Sequence, residues 1–153
     1  MLIGLISDTH GYFDTRLPDV FRGVERILHA GDIGSLDVIE RLEAIAPVVA
    51  VHGNMDNPLV ASHFPADATV ETDGVRVYLV HRRQDAQPGD GVGVVVQGHT
   101  HRSLIEEKGG MLYVNPGAAG KTLTFAGRTV ALLEVEDSKP RARIVNLDAP
   151  RRR

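Results

Sequence analysis

The chain has 153 residues, 42% hydrophobic and 24% charged, with a net charge of −3, 14 arginines among its 17 basic residues and no cysteine. That length suits one domain with a real core and is short for two, and the lack of cysteine excludes disulfides and thiolate metal sites, so a metal would have to be held by His, Asp, Glu or Asn. The acidic balance argues against bulk nucleic acid as a partner, and no stretch approaches the ~20 apolar residues of a membrane span.

LIGLIS (2–7) is a continuous apolar run of the kind found in strands buried on both faces. It has no basic stretch before it and is too short for a signal peptide, so it is read as a first strand; with cysteine absent, a cytoplasmic enzyme is expected. RLPDVFRGVERIL (16–28) mixes apolar and charged residues at roughly helical spacing, and ILHA at its end is read as strand two. Ser35 can cap a helix over 35–46, where Leu36, Ile39, Leu42 and Ile45 give the helical pattern and Pro47 ends it. VVAV (48–51) is strand three. Strand, helix, strand, helix, strand is the alternation of an α/β fold with a parallel sheet.

After about residue 65 the pattern changes. TVET, Asp73-Gly74 and VRVYLV read as a hairpin, and VGVVV, SLIEE, MLYVN, TLTF, TVALLEV and ARIVNL continue as strands between turn residues. The expected fold class is therefore α/β, with two mixed β-sheets packed face to face and helices outside the first. A single domain over 1–150 is expected, followed by a basic tail at 151–153 that reads as solvated.

Polar residues gather where these strands end. LIGLIS runs into Asp8-Thr9-His10, ILHA into Gly31-Asp32, VVAV into His52-Gly53-Asn54-Met55-Asp56, VYLV into His81, and VGVVV into Gln97-Gly98-His99-Thr100-His101. In α/β sheets the carboxyl ends of strands share one edge, where ligands bind. Each element alone has an ordinary reading: an Asp after a Gly is most often a turn or cap. His99 and His101, two apart, would leave a persisting strand on the same face; neutral imidazoles side by side make sense around a cation or as an exposed pair with no role. Jointly, two aspartates, four histidines and an amide oxygen are ligands suited to two divalent ions, and a bridging carboxylate lets such ions sit ~3.5–4 Å apart.

The blocks SDTHG, HAGDI, HGNMD, QGHTHR and NPG, in this order from residue 5 to about 117, resemble the calcineurin-like metallophosphoesterases, and more narrowly their small bacterial and archaeal phosphodiesterases. The resemblance implies a four-layer αββα sandwich and two divalent metals per chain. One would be held by Asp8, His10 and His101, the other by Asn54, His81 and His99, with Asp32 bridging; Asp32, Asn54 and His99 would also act in catalysis. Manganese is the favoured ion, with iron, zinc, cobalt or nickel as alternatives. The implied reaction is hydrolysis of a small phosphoester, most readily a diester, by in-line attack of a hydroxide held between the metals. Homodimers or homotetramers occur among such relatives. The rival reading is a protein-interaction scaffold, because the superfamily includes a retromer subunit with a decayed site; seven filled ligand positions favour the enzyme.

Two departures matter. Larger phosphatases of the superfamily carry a histidine where this chain has Met55, which cannot donate a proton. Only 17 residues separate His81 from His99, so a helix of the family is reduced to a loop, leaving the pocket more open. Arg82 and Arg83 in that loop are candidates to meet a phosphate, although such pairs are more often solvated. His29 is either a support for a ligand or a strand-end histidine with no role. Asn115 is a candidate support within a turn, His52 has little claim as a ligand, and His63 is expected to be merely exposed.

Overall fold

A computed structural model of the chain, describing residues 1–120 and 127–148, opens with β1 (Leu2–Ile6), α1 (Leu17–Val20), β2 (Arg26–His29), α2 (Leu36–Glu43), β3 (Val48–Ala50) and α3 (Pro58–Ala61). The second part is built of β4 (Asp67–Thr72), β5 (Val75–Val80), β6 (Val92–Val96), β7 (Leu104–Lys108), β8 (Met111–Asn115), β9 (Thr129–Glu136) and β10 (Lys139–Asn146). They form two five-stranded mixed sheets, in the orders β10-β9-β1-β2-β3 and β4-β5-β6-β8-β7. β1, β2 and β3 run parallel, as do β5, β6 and β8.

Alternation along the strands explains the layering. Ile3 and Leu5 of β1 join Leu28, Val77, Leu79, Val94, Val96 and Leu133 in the core between the sheets. Ile6 points the other way, into a second core with Leu17 and Phe21 beside α1, Val38, Ile39 and Leu42 of α2, and Val60 of α3. β1 is thus buried on both faces, which is why LIGLI reads as an unbroken apolar run. Ser35 caps α2 by accepting the Asp37 N–H at 3.2 Å, and the β4–β5 turn places both Asp73 and Gly74 in the left-handed region, φ 46° and 82°.

One expectation needs adjusting. The helical stretch read ahead of ILHA, from residue 16, shrinks to Leu17–Val20, because parallel pairing takes over: Glu25 N–H bonds the Leu2 carbonyl at 2.8 Å and Arg26 registers with Ile3. The outer face of the second sheet carries, among the described residues, only the loop after β5 with a 3₁₀ turn at Arg83–Asp85 over Tyr78, Val80 and Val95. The helix layer there is reduced to that loop. The strand read at TLTF and the basic tail lie outside the described residues.

Candidate metal centre

β1, β2, β3, β5 and β6 end on one edge, and the loops that follow them carry the candidate residues to one place. Asp8, His10 and His101 present ligand atoms within 4.8 Å of one another; Asp32, His81 and His99 do the same. Asp8, Asp32 and His81 form the floor, 0%, 2% and 4% exposed, while His10 and Asn54 are exposed at the mouth.

Five of these residues hold left-handed backbone: Asp8 (φ 53°), His10 (47°), Asp32 (54°), His99 (72°) and His101 (62°). Among the described residues the other non-glycines of that kind, Asp73, Asp137 and Ser138, sit in hairpin turns. Strain gathered at a cluster of polar side chains is a mark of a functional site. The strand that would have put His99 and His101 on one face does not persist. β6 ends at Val96, and the left-handed turns splay the two imidazoles. His101 Nε2 lies 3.4 Å from His10 Nε2, whereas His99 Nδ1 lies 3.1 Å from Asn54 Oδ1.

Close packing explains the glycines that precede the ligands. A Cβ on Gly53 would collide with Asp32 Oδ1, and one on Gly98 with Ser7 Oγ while lying 2.6 Å from Asp8 Oδ2. The GN and GH pairs therefore let one ligand loop cross directly over another ligand's carboxylate.

The electrostatics suit cations. Asp8 Oδ2 accepts from Ser7 Oγ (2.6 Å) and the His99 N–H (3.0 Å), but Asp8 Oδ1 is buried with no hydrogen-bond partner. It faces His101 Nε2 at 3.3 Å and His10 Nε2 at 3.8 Å. Burial pushes the Asp8 carboxyl above the usual carboxylate range, against the Ser7 hydrogen bond and the His81 charge. Asp32 accepts the Met55 N–H on Oδ1 (2.8 Å), and its Oδ2 lies 3.2 Å from His81 Nε2 and 3.9 Å from His10 Nε2, between the two groups. Burial opposes the Asp32 charge, but hydrogen bonds from His81 and Met55 outweigh it and hold its carboxyl low. His81 Nδ1–H donates to the Ala30 carbonyl (2.7 Å), so Nε2 faces two oxygens, Asn54 Oδ1 (2.9 Å) and Asp32 Oδ2. A ring nitrogen meeting two acceptors is satisfied by a proton or by a metal ion, and burial's downward pull on His81 is overcome by Asp32 and Asp8. The donor set, N and O only, matches divalent transition ions.

The remaining residues sort clearly. Asn115 Nδ2 donates to the Gly98 carbonyl (3.0 Å) and Thr100 Oγ1 (3.1 Å), steadying the loop of His99 and His101. His52 lines a cleft of about 250 Å³ beside Asn54, His81, Arg82, Asp67 and Asp85, but belongs to neither ligand group. His63 is exposed, with Nδ1 donating to the Leu59 carbonyl at 2.8 Å. Arg82 bonds Asp85 at 2.8 Å on the wall of that cleft. Arg83, a candidate to meet a phosphate, bonds Glu106 (3.0 Å) and stacks 4.0 Å over Tyr113 on the second sheet. Sequence reasoning left Asp56 of HGNMD without a role. Its carboxylate accepts the Gly34 and Gly53 N–H groups at 2.9 and 2.8 Å, tying the loop of Asn54 to that of Asp32.

The model of the calcineurin-like phosphoesterase superfamily domain matches residues 1–138. A probable metallophosphoesterase of Methanothermobacter thermautotrophicus is 36% identical over 98% of this chain and 95% of its own length. A phosphodiesterase of Methanocaldococcus jannaschii is 28% identical, over 92% and 97%. Among solved structures, wild-type Vps29 from Entamoeba histolytica complexed with Zn²⁺ superposes with a TM-score of 0.72 at 21% identity, over 95% of this chain and 98% of its own.

Proposed function

Because this chain belongs to the calcineurin-like phosphoesterase superfamily, we propose that it is a phosphodiesterase with two divalent metals per chain, manganese the favoured pair. Asp8, His10 and His101 would hold one ion and Asn54, His81 and His99 the other, with Asp32 placed to serve both. The observation that carries the reading is the buried, unpartnered Asp8 Oδ1 facing two imidazole nitrogens, with Asp32 Oδ2 poised between the two groups. When bound, such ions supply a nucleophilic water at neutral pH and neutralise charge on the phosphoryl oxygens.

The chain itself supplies position. The Met55 N–H and His81 orient Asp32; Ser7 and the His99 N–H orient Asp8; the Ala30 carbonyl turns His81 Nε2 toward the site. The 250 Å³ cleft beside Asn54 and His81 takes one arm of a small phosphoester, with Arg82 on its wall. Met55, 68% exposed, has no proton to give the leaving oxygen, so esters with acidic leaving groups are the better substrates. The jannaschii relative's description as a phosphodiesterase supports the diester preference.

The likeness to Vps29 keeps the scaffold reading in view. That protein was solved with Zn²⁺, so metal binding alone does not separate enzyme from scaffold; turnover does. Hydrolysis of an aryl phosphodiester, measured with added Mn²⁺ and again after chelation, is expected to proceed only with the metal. A metal-loaded, folded protein that hydrolyses neither diesters nor monoesters would support the scaffold instead.

A further inference from the structure

We propose that His29 and Thr9 are positioning residues of the metal centre: together they brace the loop of Asp8 and His10 against the loop of Asp32 and set their spacing. This rests on the metal-centre reading above. His29 sits on β2 beneath the site, and both it and Thr9 are 0% exposed. The direction of their hydrogen bonds is fixed at one end, because a backbone N–H can only donate. Gly31 N–H donates to His29 Nδ1 at 3.1 Å, so the ring proton lies on Nε2, which donates to Thr9 Oγ1 at 3.0 Å. The Thr9 hydroxyl in turn donates to the Ile33 carbonyl at 2.8 Å.

The residues joined are those that flank the ligands. Thr9 lies between Asp8 and His10, and Gly31 and Ile33 lie on either side of Asp32. The same loops share three backbone bonds, from the N–H groups of Asp8, His10 and Gly11 to the carbonyls of Gly31, Asp32 and Ile33, at 2.9, 3.0 and 2.7 Å. That ladder runs through Asp8, His10 and Asp32, all three left-handed. Backbone held in so sparsely populated a region persists only where the surroundings over-determine it, and the buried imidazole–hydroxyl link is a side-chain tie between the two loops at this point, alongside the longer bond from Ser7 Oγ to the Gly31 carbonyl at 3.5 Å. Neither residue touches an ion in this account; they act through the loops.

Thr9→Val keeps the side chain's shape and removes the hydroxyl, while Thr9→Ser keeps the hydroxyl. Mn²⁺ calorimetry on the full chain, with electron paramagnetic resonance of the loaded protein, reads the effect apart from turnover. Thr9→Val is expected to bind Mn²⁺ about 10–100-fold more weakly, the usual consequence of losing a ligand's support, and to show an altered spin coupling between the ions. Thr9→Ser should recover most of the affinity and the parent spectrum. His29→Gln, which keeps a donor toward Thr9 but offers Gly31 no matching acceptor, should fall between them and replaces the valine variant if that one does not fold. Parent affinity and spectrum in Thr9→Val, or in His29→Gln where it stands in, would overturn the proposal, as would a serine variant as weak as the valine one. Failure of the unmutated chain to bind Mn²⁺ would overturn the metal-centre reading itself, and the brace with it.

Discussion

Asp8 and Asp14 are both buried, 0% and 1% exposed, and the chain treats them in opposite ways. Asp14 accepts from the Arg16 backbone N–H (2.9 Å), Nε (2.9 Å) and Nη2 (2.7 Å), and Arg128 approaches to 3.7 Å. Both arginines continue to Asp148 at 2.9 Å, and Arg16 reaches the Leu147 carbonyl, so the network fastens the end of β10 to the loop before α1. The Arg16 hydrogen bond holds the Asp14 carboxyl below its ordinary value despite burial. Among the described residues Asp8 has no arginine or lysine as an ion-pair partner; it has imidazoles, a hydroxyl and an amide, and burial pushes its carboxyl up. A carboxylate given its countercharge by the chain holds the fold together. One left with an unpartnered oxygen among imidazole nitrogens suits a countercharge brought from solution.

The largest expected difference is in turnover. Asp8→Asn or Asp32→Asn should lower diester hydrolysis by more than about 100-fold, the upper end for a residue that merely supports a ligand, and Asp32→Asn should weaken both ions. Asp14→Asn, assayed where it is folded, should keep its rate. Steady-state kinetics at saturating Mn²⁺ decide this; an active Asp32→Asn with two ions per chain would break the distinction.

Stability should move the other way. Asp14→Asn removes one partner of a bonded ion network and should cost about 1–3 kcal/mol, at roughly 2–4 °C of Tm per kcal/mol for a domain of this size. Asp8→Asn should raise the Tm of metal-free protein, since a buried charge gives way to an amide able to donate toward His101. Saturating Mn²⁺ should reverse that order, because ligand at 100 times its Kd stabilises the binding-competent chain by about 2.7 kcal/mol. Thermal unfolding with and without metal measures all three.

A smaller effect appears on the acid side. Asp14, depressed in the fold, contributes stability above the ordinary carboxylate value of 3.8 and loses it as pH falls toward its folded value. Asp8, raised, holds its proton more tightly folded than unfolded, so it works against folding at neutral pH and ceases to do so as pH falls. In metal-free protein, the Tm of Asp14→Asn should therefore fall less steeply than the parent's between about pH 5 and 3, and that of Asp8→Asn more steeply. Parallel curves would mean that the two carboxyls titrate alike.

The smallest effect concerns Met55. A positioned general acid gives ~10²–10⁴-fold, but this side chain is 68% exposed and an imidazole there would meet the leaving oxygen only part of the time. Met55→His should raise alkyl monoester hydrolysis by less than about tenfold, seen as a shallower dependence of rate on leaving-group pKa. A flat dependence in the unmutated chain would remove Met55 as the reason for diester preference.

What could be read in the sequence was local. The double-faced burial of β1, the Ser35 cap and the Asp73-Gly74 hairpin follow from periodicity and turn chemistry within a few residues. The seven candidate ligands were legible because each lies in a short block at a strand end, and strand ends share an edge. What stayed hidden is long-range or conformational. Nothing near Asp14 announces Arg128 or Asp148. The left-handed turns at His99 and His101 lack the glycine that would have marked them, and α1 is short because β2 must pair with β1. Arg83 looked free only because its partners, Glu106 and Tyr113, belong to distant strands.

The edge of loops around Asp8 and Asp32 should hold two ions and the Asp14 network none. Anomalous diffraction from Mn²⁺-loaded crystals at two wavelengths tests it most directly. Two manganese peaks per chain are expected, one at Asp8, His10 and His101, the other at Asn54, His81 and His99, with Asp32 touching both. A single peak, peaks elsewhere, or two ions without Asp32 between them would contradict it.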